Sequence, residues 1–288
     1  MSSKTLAFIH RNDTRFAVGD FSPVLSVFSH LELGNTISPF LLLDHIGPGK
    51  LRPSNKQQGV HRHPHRGFET VTIVYAGELE HQDSSGAGGL IRAGEVQWMT
   101  AASGIIHQEL FSKEFTRTGG AFEMIQLWVN LPAASKMGPA RYQSLRSSDI
   151  PVVTLPDIAG TVRVIAGKYN NVTGAAQTHT RMSVLDVRLN AGHPINFSIP
   201  EGDTTLVYVC SGRLQIHADE WLEENAMAVM SSQGTDFMLT ASENSKLLIL
   251  AGEPINEPIN GHGPFVMNSY EEILQAYDDV KHGRLVQS

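Results

Sequence analysis

The segment HPHRGFETVTIVYAGEL places His63 and His65 two residues apart at the entrance to an alternating apolar run. On a strand, residues i and i+2 share a face, so the two imidazoles project together. Pro64 between them has no backbone donor and suits a strand entrance or edge. Further along, GEVQWMTAASGIIHQE closes on His107 and Glu109, again at i and i+2. Two such pairs on neighbouring strands supply four donors and leave positions open for water, substrate or dioxygen. Three neutral imidazoles and a carboxylate suit a divalent transition ion rather than magnesium or calcium, which prefer oxygen shells. Iron, manganese, nickel, copper or zinc would each fit the set.

A lone histidine in a β protein is ordinarily a surface residue or a satisfied core group. His179, His193, His217 and His262 are read that way, whereas His61, beside His63, competes as a ligand. His81 is placed behind the ligands as a hydrogen-bond partner or at a turn, and Arg66 is read as a solvated surface residue by default, with a carboxylate partner at the cavity mouth as the alternative. Phe68, Trp98, Met99 and Met124 are read as pocket lining or barrel core.

The elements that must hold these residues are strands. Most periodic segments are short, alternate with period two and are punctuated by Gly, Pro, Asn or Asp, the pattern of an all-β fold. Strands are expected over 5–9, 24–28, 69–75, 78–82, 96–100, 123–130, 161–166, 183–189, 204–210, 213–217, 227–230 and 246–251. One helix is expected near the end, opened by a Ser269/Glu272 capping box, with Tyr270, Ile273, Tyr277 and Val280 on one face.

The segment from Leu131 to Pro151 reads as a connection between two halves. GFETVTIVYAGEL, from Gly67, and GDTTLVYVCSGRL, from Gly202, repeat one pattern at an offset of 135 residues. That offset sets His63 and His65 against Ser198 and Pro200. The second copy keeps the strand and lacks the imidazoles, so the fold itself does not need them.

Composition narrows the function classes. With 288 residues, 41% hydrophobic and 18% charged, the chain can bury its own core. A formal charge of −7 without a basic cluster argues against direct nucleic-acid binding. A single cysteine, Cys210, excludes an intrachain disulfide and reads as a buried thiol in a reducing compartment. The start of the chain shows no signal peptide and no segment reaches membrane-spanning length, so the expected location is the cytoplasm, away from membranes. A monomer is expected, because the two halves can cover each other.

HPHRGFET, GELEHQDSSG, GEVQWMTAASGIIHQE and the late GEPINEPINGHGPFVMNSYEEI together resemble the pirin family of the cupin superfamily. The resemblance implies a bicupin: two tandem antiparallel jelly-roll β-barrels with a short C-terminal helix, a metal-binding domain over 1–135 and a metal-free one over 136–288. It also implies that His63, His65, His107 and Glu109 are the ligands, with iron(II) the first expected ion; the general cupin pattern would nominate Glu69 in place of Glu109, and it stands as the lesser alternative. The activity it implies is quercetin 2,3-dioxygenase, in which flavonol and dioxygen are consumed, carbon monoxide is released, and Glu109 doubles as ligand and general base. The alternative is a non-catalytic, metal- and redox-dependent regulator of a transcription or metabolic protein.

Overall fold

The computed structural model describes residues 2–217 and 220–286. All twelve expected strands are present, some longer at their ends. The described residues divide into two compact units that interleave along the chain. One unit comprises Asp13–Asn35, Phe40–Ser147 and Ile255–Ser288; the other comprises Met1–Asn12, Thr36–Pro39 and Ser148–Pro254. Membership therefore departs from contiguous domains at 1–135 and 136–288. Leu6–Arg11 pairs antiparallel with Ala226–Met230, which draws the N-terminal strand into the later unit. The stretch after Pro254 belongs with the histidine motifs.

Each unit contains a seven-stranded and a four-stranded antiparallel sheet among the described residues. In the histidine-bearing unit, the larger sheet centres on Phe68–Ala76, Gly120–Asn130 and Phe40–Leu51. The smaller sheet sets Ile105–Phe111 between Gly59–His65 and Glu78–Asp83. The other unit repeats this order strand for strand and fills its interior with Val164, Leu185, Phe197, Val207 and Phe237 among other buried apolar side chains. The repeat extends to the turns: Gly67 and Gly202 sit at φ +89° and +87°. Cys210 is buried, as expected.

The connection after Leu131 is more ordered than its composition suggests. It holds a short helix, Ala133–Lys136, and a strand, Arg141–Leu145, that pairs with Val96–Thr100. The final helix, Tyr270–Lys281, opens on the expected box, in which the Ser269 hydroxyl accepts from the Glu272 amide and the Glu272 carboxylate accepts from the Ser269 amide. Its buried face differs from the expected one. Ile273 and Ala276 pack with Phe265, Met267 and Leu285, and Tyr270 lies 61% exposed.

That C-terminal stretch is fastened to the barrel by buried polar groups. Arg66, far from being a surface residue, is 3% exposed; its guanidinium donates to Asp279 at 2.8 Å and to the Ser103 carbonyl at 2.5 Å. Lys136 is equally buried, and its ammonium donates to the Gly67 carbonyl, Asn130 Oδ1 and the Val266 carbonyl at 2.6–2.9 Å. Gly67 cannot be replaced freely, because a Cβ there would run into the Val266 carbonyl and its φ is left-handed.

Candidate metal centre

His63 and His65 leave Gly59–His65 on one face, and His107 faces His63 directly across the strand pair. The ring centroids of His63, His65 and His107 lie 4.3–4.9 Å apart. One nitrogen from each falls within 4.8 Å of the others, a spacing at which one ion can be shared. A register shift between His107 and Glu109 sets Glu109 opposite Val60 on one side and His81 on the other. Glu109 consequently groups with His107 and His81 rather than directly with His63 and His65.

Each ring is oriented by its other nitrogen. His63 Nδ1 lies 2.8 Å from the His61 carbonyl and His65 Nδ1 lies 3.2 Å from the Pro264 carbonyl. Carbonyls only accept, so both rings carry their proton on Nδ1 and present a bare Nε2. The His61 side chain is exposed, and it is the backbone of that residue that serves the site. Behind His107 runs a longer chain. His81 Nε2 lies 3.1 Å from Asp83 Oδ2, and His81 Nδ1 lies 3.5 Å from His107 Nδ1. With the His81 proton held on Nε2 by Asp83, its Nδ1 accepts from His107, whose proton is thereby fixed on Nδ1. His107 Nε2 is buried and has no hydrogen-bond partner. A buried bare imidazole nitrogen facing two others is what a divalent transition ion requires, so the residues present fit such an ion.

Electrostatics agrees with that protonation. Burial, reinforced by the charge of His63, pushes His65 down to about 3. Burial and the surrounding imidazoles hold His107 well below its ordinary value. Both rings are therefore neutral, as ligands must be. Burial pushes Asp83 upward, but hydrogen bonds from His81 and Ser85 outweigh it and keep the carboxylate below its usual range.

The Glu109 carboxylate is held by three donors from the larger sheet. Oε1 accepts from Thr72 and Gln97, both at 2.8 Å, and Oε2 accepts from Gln126 at 3.0 Å. Of about four lone-pair positions on a carboxylate, roughly one remains open. Glu69 is removed from the site. It lies on the opposite face of its strand from Thr72, accepts from Thr100 at 2.6 Å, and is pushed up to about 7 by burial.

A cavity of about 170 Å³ opens against the cluster and is lined by His63, His65 and Glu109 together with Thr72, Gln126 and Asp44. Its apolar wall includes Phe21, Met124 and Trp128. Of the four expected lining residues only Met124 lines it. Phe68 packs against Trp128 with the rings tilted, behind the wall, Met99 packs with Ala101 and Ile105, and Trp98 is buried in a strand whose neighbouring residue, Gln97, faces Glu109. Asp44 was missed by sequence reading, and burial pushes its carboxyl up to about 6 against a hydrogen bond from Ser26.

Residues 22–129 match the family model described as Pirin, and residues 184–286 match Pirin C-terminal cupin domain. The chain belongs to the pirin family. Among curated pirin relatives, a Pseudomonas aeruginosa protein named "Putative quercetin 2,3-dioxygenase PA2418" is 52% identical over 285 residues, 99% of each chain. Human Pirin is 37% identical over 259 residues, 88% of this chain and 84% of its own. The crystal structure of a quercetin 2,3-dioxygenase from Acinetobacter baumannii aligns with a TM-score of 0.96 at 48% identity, covering 99% of both chains. The architecture is thus a pirin bicupin with a His/Glu cluster able to hold a metal.

Proposed function

We propose that this pirin is a metal-dependent dioxygenase that opens flavonols such as quercetin, with His63, His65, His107 and Glu109 as ligands and iron(II) as the first candidate ion. The observation that carries this reading is that His63, His65 and Glu109 line one cavity with an aromatic wall, while His107 groups both with the two imidazoles and with Glu109. A bound divalent ion would supply Lewis acidity, lowering the pKa of a ligated substrate hydroxyl. Glu109 receives the proton from that hydroxyl. For it to do so, one of the bonds from Thr72, Gln97 or Gln126 must slacken and free a lone pair, since three donors already occupy most of the carboxylate's acceptor positions. Phe21, Met124 and Trp128 flank the substrate ring and exclude water. No helix among the described residues is long and apolar enough to cross a membrane.

The test is oxygen-dependent loss of quercetin, with carbon monoxide detected, by metal-free protein reloaded with iron, manganese, nickel, copper or zinc, alongside His63→Ala. Turnover restored by one ion and lost in the variant supports the reading. Tight metal binding with no turnover under any ion replaces it with the regulatory alternative.

A further inference from the structure

The wall opposite the imidazoles carries a continuous polar row. Ser26, Asp44, Gln126, Thr72 and Gln97 are successive cross-strand partners over five adjacent strands. In the other unit the same five positions, read through its pairings, are Val164, Leu185, Ile249, Val207 and Ala228, all within its apolar core. The sheet forms equally well without the polar row, so the row serves the cavity rather than the fold.

Three members of the row converge on one carboxylate, since Thr72, Gln97 and Gln126 all donate to Glu109. Asp44 does not reach it. Asp44 is only 9% exposed, lines the cavity, takes one hydrogen bond from Ser26, and leaves Oδ1 buried with no partner. An unpaired buried carboxylate oxygen is costly unless something fills it. A donor on the occupant of the cavity would supply that partner. The cavity of about 170 Å³ is below the size of drug-sized sites and close to what holds a benzene ring, so it has room for a single ring. Asp44 stands two strands from Thr72, roughly 10 Å by strand spacing, which a ring with substituents on two sides bridges.

We propose that Asp44 is a ligand-selecting residue, accepting a hydrogen bond from a second hydroxyl of an aromatic ring whose first hydroxyl points at the His63, His65, His107 and Glu109 cluster. The ligand class is an aromatic ring with at least two hydroxyls that are not adjacent. This rests on the metal-site reading but not on dioxygenase turnover.

The experiment is calorimetric titration of the nickel-loaded full-length protein with resorcinol and with phenol, for wild type, Asp44→Asn and Asp44→Leu, with metal content checked in each. Wild type is expected to bind resorcinol at least tenfold more tightly than phenol. Asp44→Leu should bring the two within about twofold by weakening resorcinol alone, and Asp44→Asn, which keeps an oxygen acceptor, should fall between. Equal weakening of both ligands, a preference that survives Asp44→Leu, or no preference in wild type overturns the proposal. If Asp44→Leu fails to fold, Asp44→Asn decides by the same comparison. Selectivity intact without quercetin turnover would sink the dioxygenase reading and leave Asp44 standing; turnover with no hydroxyl preference would do the reverse.

Discussion

The ring of His65 is oriented by the backbone carbonyl of Pro264, 199 residues further along the chain, at 3.2 Å. The C-terminal stretch that supplies this carbonyl is held by Arg66, Lys136 and the closely approached Gly67. A site named from an N-terminal motif is thus completed by the last part of the sequence.

Arg66→Ala should therefore harm both stability and the site. The Arg66 and Asp279 side chains are 4% and 13% exposed, and removing one partner of such a pair strands the other. A loss of about 3 kcal/mol is expected in denaturant unfolding, with weaker metal binding, whereas a surface pair such as Arg117 with Glu114 should show no measurable effect on substitution.

His81→Phe should weaken metal binding by about 10- to 100-fold while the fold is kept, because His107 loses the acceptor that fixes its proton. Asp83→Asn should act in the same direction. Competition with a chelator measures both, and unchanged affinity would remove the relay from the account.

Glu109→Gln should lower quercetin turnover by at least about 100-fold while metal still binds through the three imidazoles. Metal analysis of the purified variant, set beside its activity, separates the two effects. Full activity would remove Glu109 as the base.

Asp44 makes stability depend on pH in a definite sense. Its folded pKa is raised from 3.8 to about 6 by burial, so between those values the folded state keeps a proton that the unfolded state has lost. Stability therefore falls as pH climbs from about 4 to about 6 and levels off above. Asp44→Asn lacks this penalty and should stabilise the metal-free protein at pH 8 by up to about 3 kcal/mol, with little gain at pH 4. Denaturant unfolding of both proteins at the two pH values measures it.

The strands and the shared face of each residue pair were legible because alternation is local: His63 and His65, or His107 and Glu109, point the same way whatever the rest of the chain does. What was hidden depends on register. Asp44, Thr72, Gln97 and Gln126 are ordinary polar residues until five strands align them. The Pro264 carbonyl has no side-chain signature at all. Arg66 looked like a surface residue because the carboxylate that buries it lies 213 positions away. Glu69, two residues from Arg66's flanking glycine, was separated from Glu109 only by the face on which its strand presents it.

Synthesis runs from the N-terminus, so His63, His65, His107 and Glu109 all leave the ribosome long before Pro264 does. Until then His65 lacks the acceptor that turns its ring and Lys136 lacks the Val266 carbonyl. The order of translation thus delays the finished centre until residues 264 and 266 have been made, and an ion held by these side chains would find its full set of supports only after that point.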